Sequence, residues 1–299
     1  MRPFGLCPLG ALLLAGCSGS VPLPAKALEL NRTGVEALAR GDLETADARF
    51  SLALEYSPRF VDALTNQGLV ELQRGNFARA EQLFSRARRL NPDVAQPHHA
   101  LGVLRERERR PDLASEHYHE ALRVDPGFSP ARSNLARLLF AARLFEDALV
   151  QFKRLVEVAP EQPLGHAGLA ETLIRLGRIP EAEAVVTSAL ERLAGAPELQ
   201  ILEARTRIRH GDYEGAVQIL TPLARGRDDT AVAALGWLAT AELARGRARH
   251  AVGAAQRALA LDAQDPVATY ALGRALLELA DPAAETWLKR ASVLAPSKN

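Results

Sequence analysis

VDALTNQGLVELQRGNFARAEQLFSRARRLNP, residues 61–92, reads as two short helices folded back on each other. Leu64, Gly68 and Leu72 recur at helical spacing in the first half, and Ala80, Phe84 and Ala87 do so in the second. Gly75 stands between them, where a tight reversal needs a residue free of Cβ strain. Pro92 ends the second helix because it cannot extend it. Gly68 and Ala80 let two backbones approach closely, Phe84 fills the space beside that contact, and Ala87 leaves room for whatever follows. Such a hairpin cannot bury both of its apolar stripes alone, so it needs neighbours of its own kind.

Those neighbours are present. Pro58, Pro92, Pro126 and Pro160 stand 34 residues apart, as do Gly34, Gly68 and Gly102, and as do Ala46, Ala80, Ala114, Ala148, Ala182 and Ala216. Self-similarity at a fixed period of this length marks a stacked repeat architecture.

These residues resemble the tetratricopeptide repeat family, whose pattern places a small residue at position 8 of each unit, Gly at 15, Ala at 20, an aromatic at 24, Ala at 27 and Pro at 32. Repeat one (27–60) carries Gly34, Gly41, Ala46, Phe50, Ala53 and Pro58, and repeat two (61–94) carries Gly68, Gly75, Ala80, Phe84, Ala87 and Pro92. Repeat three (95–128) has Gly102, Ala114, Tyr118, Ala121 and Pro126, with Arg109 where Gly is usual. Repeat four (129–162) keeps Ala136, Ala148, Phe152 and Pro160 but departs at Arg143 and Leu155. The later units are looser. Repeat five (163–196) has Val186 for the aromatic. Repeat six (197–231) is one residue longer, with an expected exposed loop at Gly226–Asp229. Repeat seven is 232–265, and repeat eight (266–299) has lost a residue near Asp281 and Pro282. The resemblance implies an all-α fold, a right-handed superhelical solenoid of about eight helical hairpins running from residue 27 to 299.

Composition agrees with a helical scaffold: 47% of residues are hydrophobic and only 5% aromatic. A net charge of +1 gives no electrostatic case for nucleic acid. The two cysteines, Cys7 and Cys17, both precede the repeats, so no disulfide framework holds them together.

Residues 1–16, MRPFGLCPLGALLLAG, have a basic start and an apolar run too short for a permanent membrane span. Leu14-Ala15-Gly16-Cys17 resembles a bacterial lipobox. The resemblance implies cleavage before Cys17, lipidation of its thiol, and a Ser-Gly-Pro linker over 18–26 that tethers the repeats to a membrane. Ser18, rather than Asp, after the cysteine favours the outer membrane, facing the periplasm, under the enteric rule. An ordinary cleaved signal peptide with an incidental cysteine is the alternative.

In this family the first helix of each unit lines a groove through positions 2, 5, 6, 9 and 13. Carried onto this chain, the lining includes Asn31, Asn66, His99, Asn134, Arg137, Glu171, Arg175, Arg205, Arg209, Trp237, Tyr270 and Arg274. Asn66 and Asn134 share position 6, where an amide can both donate to and accept from an extended peptide. Arg137, Arg175, Arg205 and Arg209 form a positive stripe suited to an acidic or carboxylate-bearing segment. The lysines of the chaperone-type carboxylate clamp are absent.

His98, His99, His117 and His119 diverge on their helices and read as surface residues rather than metal ligands. RERERR, residues 105–110, reads as a solvated face with local ion pairs. Trp287 and Leu288 have no following repeat to cover them, so they either cap the stack or form a second contact patch. No phosphate loop, HExxH or GxSxG motif is present, and no cofactor or metal is expected.

The expected role is a membrane-anchored periplasmic interaction scaffold that takes a protein or peptide partner in its groove. Small lipoproteins built of such repeats resemble the pilotin group of type IV pilus biogenesis and the assembly lipoprotein of Tad-type pili, which implies assembly of a pilus or secretin-type complex. An adaptor for peptidoglycan hydrolases or polysaccharide-export machinery is the alternative, and self-association through the ends of the stack is a third class.

Overall fold

The computed structural model describes residues 22–294, so Cys17, the lipobox and Pro296 lie outside the described residues. The described residues form sixteen α-helices and no strand. No helix among them is long and apolar enough to cross a membrane.

Two compact units divide within one helix, the first ending at Leu104 and the second beginning at Arg105. The first unit contains α1 (Ala25–Ala39), α2 (Leu43–Tyr56), α3 (Val61–Gln73), α4 (Phe77–Leu90) and most of α5 (Ala95–Arg107). The second contains the rest of α5, then α6 (Pro111–Val124), α7 (Ser129–Ala141), α8 (Phe145–Val158), α9 (Pro163–Arg175) and α10 (Ile179–Arg192). It continues through α11 (Pro197–Arg209), α12 (Tyr213–Leu223), α13 (Asp229–Ala244), α14 (Ala248–Leu261), α15 (Pro266–Glu278) and α16 (Ala284–Leu294).

Each hairpin turns through one residue in the left-handed region. Gly41, Gly75, Gly177, Gly211 and Gly246 take φ between 72° and 82°, and Arg109, Arg143 and Ala280 adopt the same turn at φ 60°, 63° and 54°. At the two arginine turns the chain still closes the helix as the glycine turns do: Arg110 N–H donates to the Arg105 carbonyl at 2.9 Å and Leu144 N–H to that of Leu139 at 3.0 Å, matching Asn76 to Glu71 at 2.8 Å. Stacking demands this turn, and the repeat imposes it on residues for which it costs about 1–2 kcal/mol. The extra residue of repeat six lengthens the approach to α13. Gly226, Arg227 and Asp228 are exposed, Asp228 caps the helix by accepting from Ala231 N–H at 2.9 Å, and Asp229 belongs to the helix rather than to the expected loop.

The core follows the small-and-large alternation of the sequence. A Cβ added to Gly34 would stand 2.6 Å from the Phe50 ring, and one added to Gly68 would be closer still to Phe84; both rings are fully buried. Repeat four solves the problem differently. Ala136 occupies the position of Gly34 and Gly68, and the Phe152 ring lies instead against Gly168 of the next repeat. Leu155, standing where Ala is usual, packs beside Gly165, whose Cβ would meet it at 3.3 Å. Phe152 and Leu155 are three residues apart and so are the two glycines that receive them, so the departures of one unit are compensated in the next.

Polar side chains tie successive units together at a fixed register. His98 Nε2 lies 3.1 Å from the Pro92 carbonyl, and His166 Nε2 lies 2.8 Å from that of Pro160. Arg132 donates to the Pro126 carbonyl at 2.6 Å, and Gln200 donates to that of Ala194 at 2.7 Å. A second tie holds the hairpin turns. Arg74 reaches back to Glu44 and Asp47 of repeat one at 2.8 and 2.9 Å while held by Glu71 at 2.8 Å. Arg245 does the same between Glu214 and Glu242.

Candidate functional site

First helices carry the candidate face, and each unit shows its own part of it. In the first unit Asn66 is buried, and its Nδ2 donates to Asn31 Oδ1 at 3.0 Å. The two amides are therefore committed to each other, and Asn31 is half-buried. His99, on α5, is half-buried, and desolvation pushes its pKa down to about 4, so the ring is neutral at physiological pH.

The second unit holds a ladder of charges set by the repeat. Arg137, Glu171 and Arg205 occupy the same position in successive repeats, so one helical face reads plus, minus, plus at one-repeat intervals. Glu171 Oε2 accepts from Arg205 Nη1 at 2.5 Å, and its Oε1 accepts from Arg175 Nε at 3.2 Å. Burial raises the Glu171 pKa, but the hydrogen bond and charge of Arg205, with Arg175 behind it, outweigh that and hold it below the ordinary carboxylate value. The ladder ends on aromatic rings on both sides. The Arg205 guanidinium lies 4.7 Å from the Trp237 ring centroid, and that of Arg175 lies 5.8 Å from Phe140. The face thus runs Phe140, Arg175, Glu171, Arg205, Trp237 across four repeats.

Arg137 is exposed and pairs with Glu106 at 2.5 Å. Asn134 Nδ2 donates to the buried Tyr118 hydroxyl at 3.4 Å. Arg209 is exposed and has no ion-pair partner among the described residues. Tyr270 and Arg274, both exposed, meet each other at 3.4 Å, apart from the ladder. Three of the four arginines in the stripe are therefore held by carboxylates. The face is a fixed lattice of alternating charge bordered by rings, with Arg209 as its free cation. A lattice of this kind suits a segment that offers matching charges and an apolar surface together.

Sequence reasoning missed three parts of this arrangement. Glu106 and Phe140 were not assigned to the face, although Glu106 reaches Arg137 across a repeat and RERERR is for that reason not purely local. His98 is buried at 6% exposure on its carbonyl, and His99 and His117 are half-buried, so of that cluster only His119 is a surface residue. The signal for the buried histidine was available: His98, Arg132, His166 and Gln200 are spaced by the repeat period. Among the described residues no group of His, Cys, Asp and Glu is arranged to hold a metal ion.

Family models described as tetratricopeptide repeat match residues 31–95 and, in three overlapping stretches, 107–172, 145–206 and 173–239. The chain is 26% identical over 170 residues to the type IV pilus assembly protein PilF of Pseudomonas aeruginosa, a match covering 55% of this chain and 66% of that one. It is 28% identical over 179 residues to cellulose synthase operon protein C of Pseudomonas fluorescens, covering 56% of this chain and 14% of that one. It is also 28% identical over 133 residues to anaphase-promoting complex subunit 3 of Schizosaccharomyces pombe, covering 44% of this chain and 20% of that one. The chain thus spans just under two thirds of the first relative and a fifth or less of the other two. Among solved structures, the Cut9–Hcn1 assembly superposes with a TM-score of 0.67 at 17% identity, over 90% of this chain and 53% of that one. Pseudomonas aeruginosa PilF superposes with a TM-score of 0.59 at 21% identity, over 70% of this chain and 94% of that one. At these identities the superpositions establish the fold.

Proposed function

We propose that this chain, which belongs to the tetratricopeptide repeat family, is an envelope-anchored scaffold that assembles a pilus or secretin-type complex by holding a protein partner on the first-helix face. A protein-interaction scaffold is what this family provides, and the 170-residue match to a type IV pilus assembly protein is the observation that carries the finer reading. The Leu14-Ala15-Gly16-Cys17 stretch supports an anchor at Cys17, with the repeats displayed in the periplasm from the outer membrane. The alternating ladder and the free Arg209 supply the recognition chemistry, binding rather than catalytic in kind.

Cross-linking and pull-down of the full chain from native membranes tests this reading, with Cys17→Ser as the control. Recovery of a secretin or pilus component, lost in the control, supports it. Normal secretin multimers in a deletion strain refute the assembly role. A second reading has its own support in the similarity to a cellulose synthase operon protein: an adaptor for polysaccharide-export machinery. Recovery of polysaccharide or cell-wall enzymes in place of pilus components selects that reading.

A further inference from the structure

A cavity of about 640 Å³ in the second unit lies at the junction of repeats three and four. Its apolar lining comes from Leu138, Leu139, Ala142 and Leu144, with the exposed Asp112 on its rim and the half-buried Ser115 beside it. The repeat itself explains why this space is empty. Moving back two periods maps Ala142 onto Arg74, Leu139 onto Glu71, Asp112 onto Glu44 and Ser115 onto Asp47. Those four residues form the arginine tie between repeats one and two. The same positions reappear between repeats six and seven as Arg245, Glu242 and Glu214, again tied. At the junction of repeats three and four one of the three carboxylates is kept, as Asp112, the other two positions hold Ser115 and Leu139, and alanine stands in place of the arginine. Across the remaining units the position of Ala142 carries Arg40, Glu108, Leu176, His210 and Leu279, so Ala142 is the one small residue there.

We infer that this vacated slot receives an arginine side chain from a protein partner, which supplies in trans the tie that Arg74 and Arg245 supply in cis. The aliphatic stem lies on Leu139 and Leu144, as amphipathic side chains lie on apolar surface. The guanidinium reaches Asp112, which is exposed and has no ion-pair partner among the described residues, and Ser115 beside it. Arg137 also lines the cavity but is held by Glu106. Arg109 stands exposed on the same rim and opposes a second cation, which keeps a lone arginine weakly bound and predicts that Arg109→Gly tightens it. An acidic occupant is disfavoured by Asp112, and a purely apolar one leaves that carboxylate unmet.

The test is methyl NMR on the full chain, titrated with N-acetyl-arginine N-methylamide and, separately, with the norleucine analogue, which offers an apolar stem without the guanidinium. A single side chain binds in the millimolar range, so shifts of the Leu138, Leu139 and Leu144 methyls are read over that range. The inference expects the arginine probe to bind about threefold or more tightly than the norleucine probe, to weaken by a similar factor in Asp112→Asn, and to be excluded by Ala142→Arg. The Ala142→Arg chain is also expected to melt at a higher temperature than wild type, with the gain cancelled by adding Asp112→Asn, which reports the restored tie without any ligand. Equal binding of the two probes, no shift with either, or an Ala142→Arg gain indifferent to Asp112 overturns it.

Discussion

Removing Arg205 from the ladder tests whether the candidate face is a fixed lattice or a row of independent surface charges. Arg205 and Glu171 are each about one fifth exposed and meet at 2.5 Å, so they lie between two regimes. Exposed pairs couple by about 0.2–1 kcal/mol, whereas stripping one partner from a buried pair costs about 3–5 kcal/mol. A coupling of about 1–2 kcal/mol is expected here, with about 0.5–1 kcal/mol more lost from the Trp237 stack when the guanidinium goes. A double-mutant cycle of Glu171→Gln and Arg205→Gln, read by urea unfolding with equal m values across the four chains, isolates the pair. Carboxyl NMR gives an independent reading. The Arg205 and Arg175 charges hold the folded pKa of Glu171 below its ordinary value against the opposing effect of burial, so the Glu171 midpoint rises in Arg205→Gln. By linkage, a carboxylate depressed in the folded state stabilises it above the unfolded pKa, and that stabilisation fades as pH falls through the folded value. A coupling below about 0.3 kcal/mol, at the floor of what distant sites show, with an unmoved Glu171 midpoint, refutes the lattice.

Other consequences follow from single residues. Arg143→Gly and Ala280→Gly, at φ 63° and 54°, are expected to stabilise by about 0.5–1 kcal/mol each, and Gly75→Ala at φ 80° to destabilise by about 1 kcal/mol, all by thermal or urea unfolding. Gly34→Ala exchanges a helix-propensity gain of about 1 kcal/mol for an overpacking cost of about 1–3 kcal/mol against the sealed Phe50 ring; the net loss should disappear in a Phe50→Leu background. His99, depressed to about 4, is neutral in the folded chain and takes a proton more readily when unfolded. Stability therefore falls as pH drops from about 6.5 toward 4, by at most about 3 kcal/mol, and His99→Gln flattens that stretch of the pH profile.

The fold was legible because the repeat sets a small residue against a large aromatic one at a fixed spacing in repeats one and two. Gly34 with Phe50 and Gly68 with Phe84 are local pairs, sixteen residues apart in each case, and a period read along the chain finds them. Where the pairing crosses into the next unit, the period shows the anomaly but not its resolution. Leu155 stands out as a departure in repeat four; that Gly165 absorbs it, and that Gly168 receives the Phe152 ring, is visible only when the two units are packed. The turn residues behave in the same way. Arg109 and Arg143 break the glycine pattern in sequence, yet they adopt the glycine conformation, because the apolar burial that stacking provides outweighs the strain at one residue.

The candidate face was legible as positions and illegible as charges. Helical period and family position select which side chains share a face, and Arg137, Arg175 and Arg205 do share one with Glu171. Whether an arginine on that face is free depends on what the neighbouring repeat places within reach, and that depends on inter-repeat distance rather than on composition. Glu171 sits one period from both Arg137 and Arg205 and pairs with the later one, while Arg137 turns to Glu106. A stripe counted as four positive charges is, after packing, two ion-paired clusters and the single free cation Arg209. The same logic read in reverse makes Ala142 informative: the junctions at Arg74 and Arg245 show the tie that this position can carry, and a small residue there leaves the space and the Asp112 carboxylate open to a side chain from outside.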